Sequence, residues 1–323
     1  MTSIPAEFDL IYKYFRPLAG PGALDLGDDA AIFTPPAGRQ MVVAADAMVA
    51  GVHFLPDDPP DLVARKLLRT NLSDLAAMGA APFGYLLTVS VPRDTPDAWF
   101  AGFAAGLAAD QGEYGITLLG GDTTSTRGPV SLSLTIIGTV APGAALRRTG
   151  ARPGDGVWVT GTIGDGALGL LAAMGKLADP NGFLADRYRL PQPRLVLGQR
   201  LPGIATAAMD VSDGLVQDLG HLCRGAGLGA PIEAALVPLS PAARAAVAGD
   251  AGLLARCLGG GDDYELLLAV PDAHAPALLD AAAACGVAVT RIGRFAAGAP
   301  EVAVLGPDSA PMVLSTAGWS HFA

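Results

Sequence analysis

The sequence predicts an α+β protein of two domains. Three observations carry this: a length of 323 residues, an abrupt change of composition over residues 141–156, and stretches of two-residue hydrophobic alternation interleaved with stretches of helical period on both sides of it. With 51% hydrophobic residues, the chain can bury a core in each half and is excluded from the disordered class.

In the first domain, residues 1–142, the run 40–46 reads as a short buried strand that stops at Asp46. From Asp61 to Gly79, Leu62, Val63, Leu67, Leu68, Leu72, Leu75 and Met78 follow helical spacing, and Gly79 with Pro82 supplies the stop. Thr70, Asn71 and Asp74 share one face of that helix. Residues Tyr85, Leu87, Val89 and Val91 then alternate with Leu86, Thr88 and Ser90 as a strand up to Pro92. Thr95 as N-cap and Pro96 at the first helical position open a helix to about Asp110, with Gly112 as its end. A strand from Ile116 to Leu119 feeds Asp122, and Val130, Leu132, Leu134 and Ile136 mark another.

The segment 141–156, rich in Pro, Gly and Arg, is the predicted domain boundary. The second domain, residues 143–323, opens with a strand over Val157–Thr160, the loop Gly161–Gly166 and a helix through Leu170 and Leu171. A helix over Asp213–Arg224 and a strand over Tyr264–Val270 each start directly on an aspartate turn. Both halves therefore set glycine and aspartate beside strands, which hints at a distant duplication.

The net charge of −10 argues against a general nucleic-acid surface, which needs clustered Lys and Arg. Cys223, Cys257 and Cys285 are odd in number and widely spaced, excluding a disulfide framework or a CxxC zinc site and suggesting the cytosol. Residues 1–10 lack the basic and apolar regions of a signal peptide, and no window has the length and apolarity to span a membrane.

The chemistry lies in the aspartates that follow apolar or glycine runs: Asp28 and Asp29, Asp46, Asp122 after Leu118-Leu119-Gly120-Gly121, Asp210 and Asp213, and Asp262 and Asp263. Read as meeting at one site, they require cations or protons, since two charges about 4 Å apart repel by roughly 4 kcal/mol at an effective dielectric of 20. Mg²⁺ suits an all-oxygen set shared with substrate phosphates. The chain has only Lys13, Lys66 and Lys176 and no P-loop, so metal and the arginines Arg147 and Arg148 would neutralise phosphate. Each feature also has a plainer reading. A lone Gly-Asp is usually a turn, Asp74 a solvated helix position, His53 an ordinary histidine, Gly161–Gly166 a structural turn, His221 and the cysteines packing, and Trp319 a terminal core residue. Only the conjunction favours a site.

Six ordered blocks make that conjunction specific: Gly27-Asp28-Asp29-Ala30-Ala31; Asp46 with Gly51-Val52-His53-Phe54-Leu55-Pro56; Asn71-Leu72-Ser73-Asp74-Leu75-Ala76-Ala77-Met78-Gly79-Ala80; Gly120-Gly121-Asp122-Thr123-Thr124; Asp210-Val211-Ser212-Asp213-Gly214-Leu215; and Gly260-Gly261-Asp262-Asp263-Tyr264-Glu265-Leu266. On these residues the chain resembles the thiamine-monophosphate kinase family, within the superfamily of aminoimidazole ribonucleotide synthetase and selenophosphate synthetase. The resemblance implies the two-domain aminoimidazole ribonucleotide synthetase type of fold, with N-terminal strands forming a barrel across a homodimer. It implies ATP- and Mg²⁺-dependent phosphorylation of thiamine monophosphate to thiamine diphosphate.

Carried over by motif, Asp29, Asp46, Asp74, Asp122, Asp210 and Asp213 are expected as metal ligands. Gly121, Asp122, Arg148 and Ser212 are expected as nucleotide contacts, and His53, Asp262 and Trp319 as substrate contacts, with no covalent catalytic residue. Two departures stand out: Ala44 and Ala45 replace hydroxyl residues frequent in the family, and Asp262 replaces a glutamate. Among alternatives, selenophosphate synthetase needs an N-terminal Cys or selenocysteine and hydrogenase maturation relatives a terminal cysteine, both absent here. Aminoimidazole ribonucleotide synthetase, or a non-catalytic nucleotide-binding protein, remains as the other reading.

Overall fold

A computed structural model describes residues 6–306, 310–312, 314 and 318–320. The chain divides into two compact units, one of Met1–Leu75 with Ala81–Pro142, the other of Ala76–Ala80 with Gly143–Ala323.

The first unit contains helix α1 (Ala6–Leu10), strand β1 (Gln40–Val49), helix α2 (Pro60–Ala77, whose last two residues count with the second unit), strand β2 (Ala81–Pro92), helix α3 (Asp97–Tyr114) and strands β3 (Leu118–Thr126) and β4 (Ser131–Val140). Its sheet has the order β1-β4-β2-β3, with β4 antiparallel to both neighbours and β3 parallel to β2. Alternation places Met48, Leu132, Leu134, Ile136, Leu87, Val89 and Val91 on a buried face. The sheet is open in a single chain, with β1 and β3 as its edges, so the expected barrel is not closed within one protomer.

Several sequence boundaries are corrected. β1 does not stop at Asp46, because pairing with β4 continues to Val49 opposite Ser131. Asp122 lies inside β3, opposite Thr88, where the sequence predicted a strand ending before it. Gly112 does not end α3; the helix continues to Tyr114 and closes on Gly115 in the left-handed conformation. Thr95 is no N-cap, for its hydroxyl donates to the Pro92 carbonyl and Pro96 holds the cap position.

Most polar residues in the middle of α2 face inward, and Asp74 is half-buried rather than fully solvated. Lys66, Arg69, Thr70, Asn71 and Ser73 are buried. Arg69 donates to both oxygens of buried Asp110 on α3, at 2.8 and 3.0 Å, and to Glu113 at 2.7 Å. Arg65 joins them at 2.8 Å from Asp110. A charge-assisted, bidentate arrangement of this kind satisfies groups that would be costly to bury alone.

The second unit contains β5 (Gly156–Thr160), α4 (Asp165–Ala173), α5 (Phe183–Arg189), α6 (Leu195–Gly198), β6 (Ala207–Asp210), α7 (Leu215–Ala226), β7 (Ala230–Glu233), α8 (Pro241–Gly249), α9 (Leu253–Gly259), β8 (Leu266–Val270), α10 (Ala275–Ala284), β9 (Val289–Arg294) and β10 (Val302–Leu305). Its mixed sheet runs β10-β7-β9-β5-β8-β6, and β5, β6 and β8 are buried along their whole length. Two predicted elements start later than expected, α7 at Leu215 and β8 at Leu266, because the aspartate turns before them are held by side chains rather than wound into helix or strand. α7 buries Leu215, Leu219, Leu222 and Cys223, an i, i+4, i+7, i+8 stripe, against the sheet. No described helix is long and apolar enough to cross a membrane.

Candidate active site

In the second unit two turns form one surface. The first, Asp210–Gly214, joins β6 to α7; the second, Gly260–Glu265, joins α9 to β8. Three backbone bonds tie them together: Val211 N–H to the Glu265 carbonyl (2.8 Å), Tyr264 N–H to the Val211 carbonyl (2.8 Å) and Asp262 N–H to the Ser212 carbonyl (2.9 Å). Asp262 (φ 69°) and Tyr264 (φ 51°) are both left-handed, a conformation that costs non-glycine residues of order 1–3 kcal/mol and collects at functional sites. Tyr264 Oη donates to Asp262 Oδ1 at 3.3 Å.

Trp319 reaches the same surface. Its N–H donates to the Asp213 carbonyl at 3.0 Å, and Gln217 Nε2 bridges the Trp319 carbonyl (2.8 Å) and Asp213 Oδ2 (3.1 Å). Its residue is 53% exposed, so it is a presented aromatic surface rather than core. The predicted residues Asp210, Ser212, Asp213, Asp262 and Trp319 are thus gathered on one unit.

Sequence reasoning missed Asp218, and it took Asp263 for an acid meeting the others at the site, whereas Asp263 and Glu265 are buried supports beneath the turns. Asp218 on α7 is buried, and its Oδ2 accepts from the N–H groups of Ser212 (3.0 Å), Asp213 (3.0 Å) and Gly214 (3.1 Å). Burial, with the neighbouring charges of Asp210 and Asp213, pushes its carboxyl up to about 7. Asp263 takes the N–H groups of Gly164 (2.7 Å) and Gly166 (3.0 Å), and burial raises its carboxyl well above the ordinary range. Those two amides of the Gly161–Gly166 loop are therefore engaged by a protein carboxylate, in keeping with a structural turn. Buried Glu265 accepts from Thr160 Oγ1 (2.6 Å), Arg194 Nε (2.6 Å) and Arg187 (3.0 Å). The only signal for Asp218 was an acid in the first turn of a helix.

Arg148 is exposed, and with Arg224 it lowers the pKa of His221, after burial as the largest cause. His221 is not simple packing, since its Nδ1 lies 3.1 Å from an Arg224 nitrogen. Arg147 lines a separate cavity of about 440 Å³ with Leu146, Thr149, Pro202 and Thr206. Cys223 is buried with its thiol pushed up to about 11, consistent with packing.

The first unit carries Asp29, Asp46, His53, Asp74, Gly121 and Asp122. Asp29 lies in an exposed segment before β1, and Asp74 is half-buried on α2. Gly121 has φ 154°, and a Cβ there would stand 1.7 Å from the Leu87 carbonyl oxygen, so only glycine lets β3 lie against β2 just before Asp122. His53 Nδ1 accepts the Val49 N–H at 3.0 Å, which sets the neutral ring's proton on Nε2. Register places Asp46 opposite Leu134, Leu134 opposite Leu87 and Leu87 opposite Gly121. Asp46 and Asp122 are thus on opposite edges of the sheet, three strand spacings or about 14 Å apart, too far to share an ion within one chain.

Among the described residues, no three His, Cys, Asp or Glu side chains form a group that could hold a metal ion. The predicted donors nevertheless fit Mg²⁺ by chemistry, being oxygens. Asn71 adds a buried Oδ1 that has no hydrogen-bond partner among the described residues, three residues before Asp74 on the same helix face.

Residues 27–140 match the family model "AIR synthase related protein, N-terminal domain", and residues 152–305 match "AIR synthase related protein, C-terminal domain". The thiamine-monophosphate kinase of Caulobacter vibrioides is 46% identical over 98% of this chain and 91% of its own length. A crystal structure of thiamine-monophosphate kinase from Stenotrophomonas maltophilia is 41% identical, with a TM-score of 0.84 over 93% of this chain and 96% of that one. A further structure, "AaThiL complexed with AMPPCP and TMP", is 28% identical with a TM-score of 0.77 over the whole of both chains. This chain belongs to the thiamine-monophosphate kinase family.

Proposed function

We propose that the protein transfers the γ-phosphoryl group of ATP to thiamine monophosphate, in line and without a phosphoenzyme, giving thiamine diphosphate and ADP. The observation that carries this reading is family membership across nearly the full length, with the two-unit fold shared with a relative complexed with AMPPCP and TMP. The nucleophile is an oxygen of the substrate phosphate, ionised near neutral pH because a monoester's second pKa is about 6. No general base is required.

Asp29, Asp46, Asp74, Asp122, Asp210 and Asp213 are the proposed Mg²⁺ ligands. Bound there, Mg²⁺ would offset the repulsion of two anionic phosphates and the charge on the transferring group. Gly121, Asp122, Arg148 and Ser212 orient the nucleotide; His53, Asp262 and Trp319 orient the thiamine. With its proton on Nε2, neutral His53 donates from that atom and has no lone pair there for phosphoryl transfer, which supports binding rather than covalent catalysis.

The active form is a homodimer in this reading. β1 and β3 are the edge strands of the sheet, β3 bridged on its outer side at Leu118 by Ala19, and Val43 on β1 and Leu86 on β2 are exposed apolar residues of the sheet. Laying β1 of one copy beside β3 of another closes a barrel and brings Asp46 towards the partner subunit's Asp122. The three cysteines are free thiols, as suits a cytoplasmic enzyme.

Incubation of the purified protein with ATP, Mg²⁺ and thiamine monophosphate should yield thiamine diphosphate and ADP in equal amounts; absence of product refutes the assignment. Trp319→Ala should raise KM for thiamine monophosphate about tenfold, the loss of roughly 1.4 kcal/mol of cation–π and stacking contact, while kcat changes less than about twofold. An unchanged KM would remove Trp319 from the substrate site.

A further inference from the structure

We infer that Asp218 is a positioning residue that sets the metal-binding geometry of Asp210 and Asp213 by gathering three consecutive backbone N–H groups of their turn onto one carboxylate oxygen. The inference rests on the metal site proposed above and assigns its support within the second unit.

Asp218 is the fourth residue of α7 and reaches back over the helix start. Its Oδ2 receives the N–H groups of Ser212, Asp213 and Gly214 at 3.0, 3.0 and 3.1 Å. An ordinary N-cap works the other way, with a residue ahead of the helix accepting from its first turn. Here the acceptor belongs to the helix and the donors to the turn, so the bonds fix the turn rather than the helix. With 1% exposure and that oxygen occupied, Asp218 is held inward from the surface that carries Trp319 and Asp213.

Asp218 takes three consecutive N–H groups of this turn with one side-chain oxygen. Gly214 has φ 130°, and a Cβ there would meet the Gly259 carbonyl carbon at 2.8 Å, so the chain passes through a conformation reserved for glycine and needs its amides anchored. Gln217 Nε2 also holds Asp213 Oδ2 at 3.1 Å, while the backbone bonds to this turn act on its carbonyl groups or through the neighbouring Gly260–Glu265 turn. An amide at this position would bring an NH2 group into the buried space beside the accepting oxygen, so it should hold the turn less firmly.

The test is binding of Mn²⁺, as a spectroscopic stand-in for Mg²⁺, to the full-length protein with a non-hydrolysable ATP analogue, read by electron paramagnetic resonance. It is paired with the Mg²⁺ dependence of turnover and with Tm. Asp218→Ala is expected to weaken Mn²⁺ binding at least tenfold and raise the Mg²⁺ half-saturation in parallel, with kcat recovering at high Mg²⁺. Asp218→Asn, which keeps an oxygen acceptor, should fold and weaken binding three- to tenfold, and it decides the matter if Asp218→Ala does not fold. Mn²⁺ affinity within twofold of wild type in Asp218→Asn overturns the inference, whatever happens to Tm, since a purely structural role moves Tm alone. A wild type that binds Mn²⁺ but makes no thiamine diphosphate refutes the proposed reaction and leaves this inference to the binding data; a wild type that binds no Mn²⁺ overturns it.

Discussion

Asp122→Asn should lower turnover of thiamine monophosphate by about 10²–10³-fold or more, with secondary structure and Tm essentially those of the wild type. The substitution preserves shape and removes the negative charge at the proposed meeting point of metal and nucleotide. The fold should tolerate it because Asp122 is exposed on edge strand β3, where surface changes usually fall within about 0.5 kcal/mol. Product formation and circular dichroism decide the outcome. Wild-type activity would take Asp122 out of the metal site. If the dimeric arrangement holds, Asp46→Asn should produce the same loss, and mixing it with Asp122→Asn under subunit exchange should restore some sites, since one interface of the mixed dimer would carry both intact carboxylates.

The second large effect is on stability. Glu265→Leu should destabilise the second unit by about 3–5 kcal/mol, the usual result of removing one partner from a buried ionic cluster. Arg187 and Arg194, whose side chains are 12% and 21% exposed, would keep their charge without the carboxylate that now accepts from both. Thr160 Oγ1 would lose its acceptor while still receiving the Leu266 N–H at 2.7 Å, loosening the contact between β5 and the start of β8. A fall in the urea midpoint, together with faster hydrogen exchange in β5 and β8, would show it. A loss below about 1 kcal/mol would mean that Arg187 and Arg194 re-pair, with Asp165 the nearest carboxylate to Arg187 at 3.8 Å.

Much of the fold was legible because its periodicities are local. The alternation through Tyr85–Val91 and the leucines of residues 61–79 report a strand and a helix without reference to anything distant. The misses were tertiary. Thr95 looks like an N-cap, but its hydroxyl turns to Pro92. Nothing local to α2 marks Arg69 as buried; it is buried because Asp110, 41 positions away, supplies its counter-charge.

The site divides in the same way. Gly121 and Gly214 were visible as glycines beside acids, and the structure supplies the reason: a Cβ at either position would collide with backbone. Asp218 carried no local signal beyond a helical acid, and Asp263 and Glu265, though inside a recognised block, gave no sign that they would be buried as supports rather than presented. Their roles arise from the amides and arginines brought to them by folding.

By itself the sequence determined the family and the two-part α+β organisation, because those are properties of ordered motifs and short-range patterning. Only the tertiary structure decided which acids present charge and which are spent holding turns. It also decided that Asp46 and Asp122 occupy opposite edges of one sheet. The physical reason is that a carboxylate's role depends on burial and on the donors around it, and both are set by contacts between residues far apart in the chain.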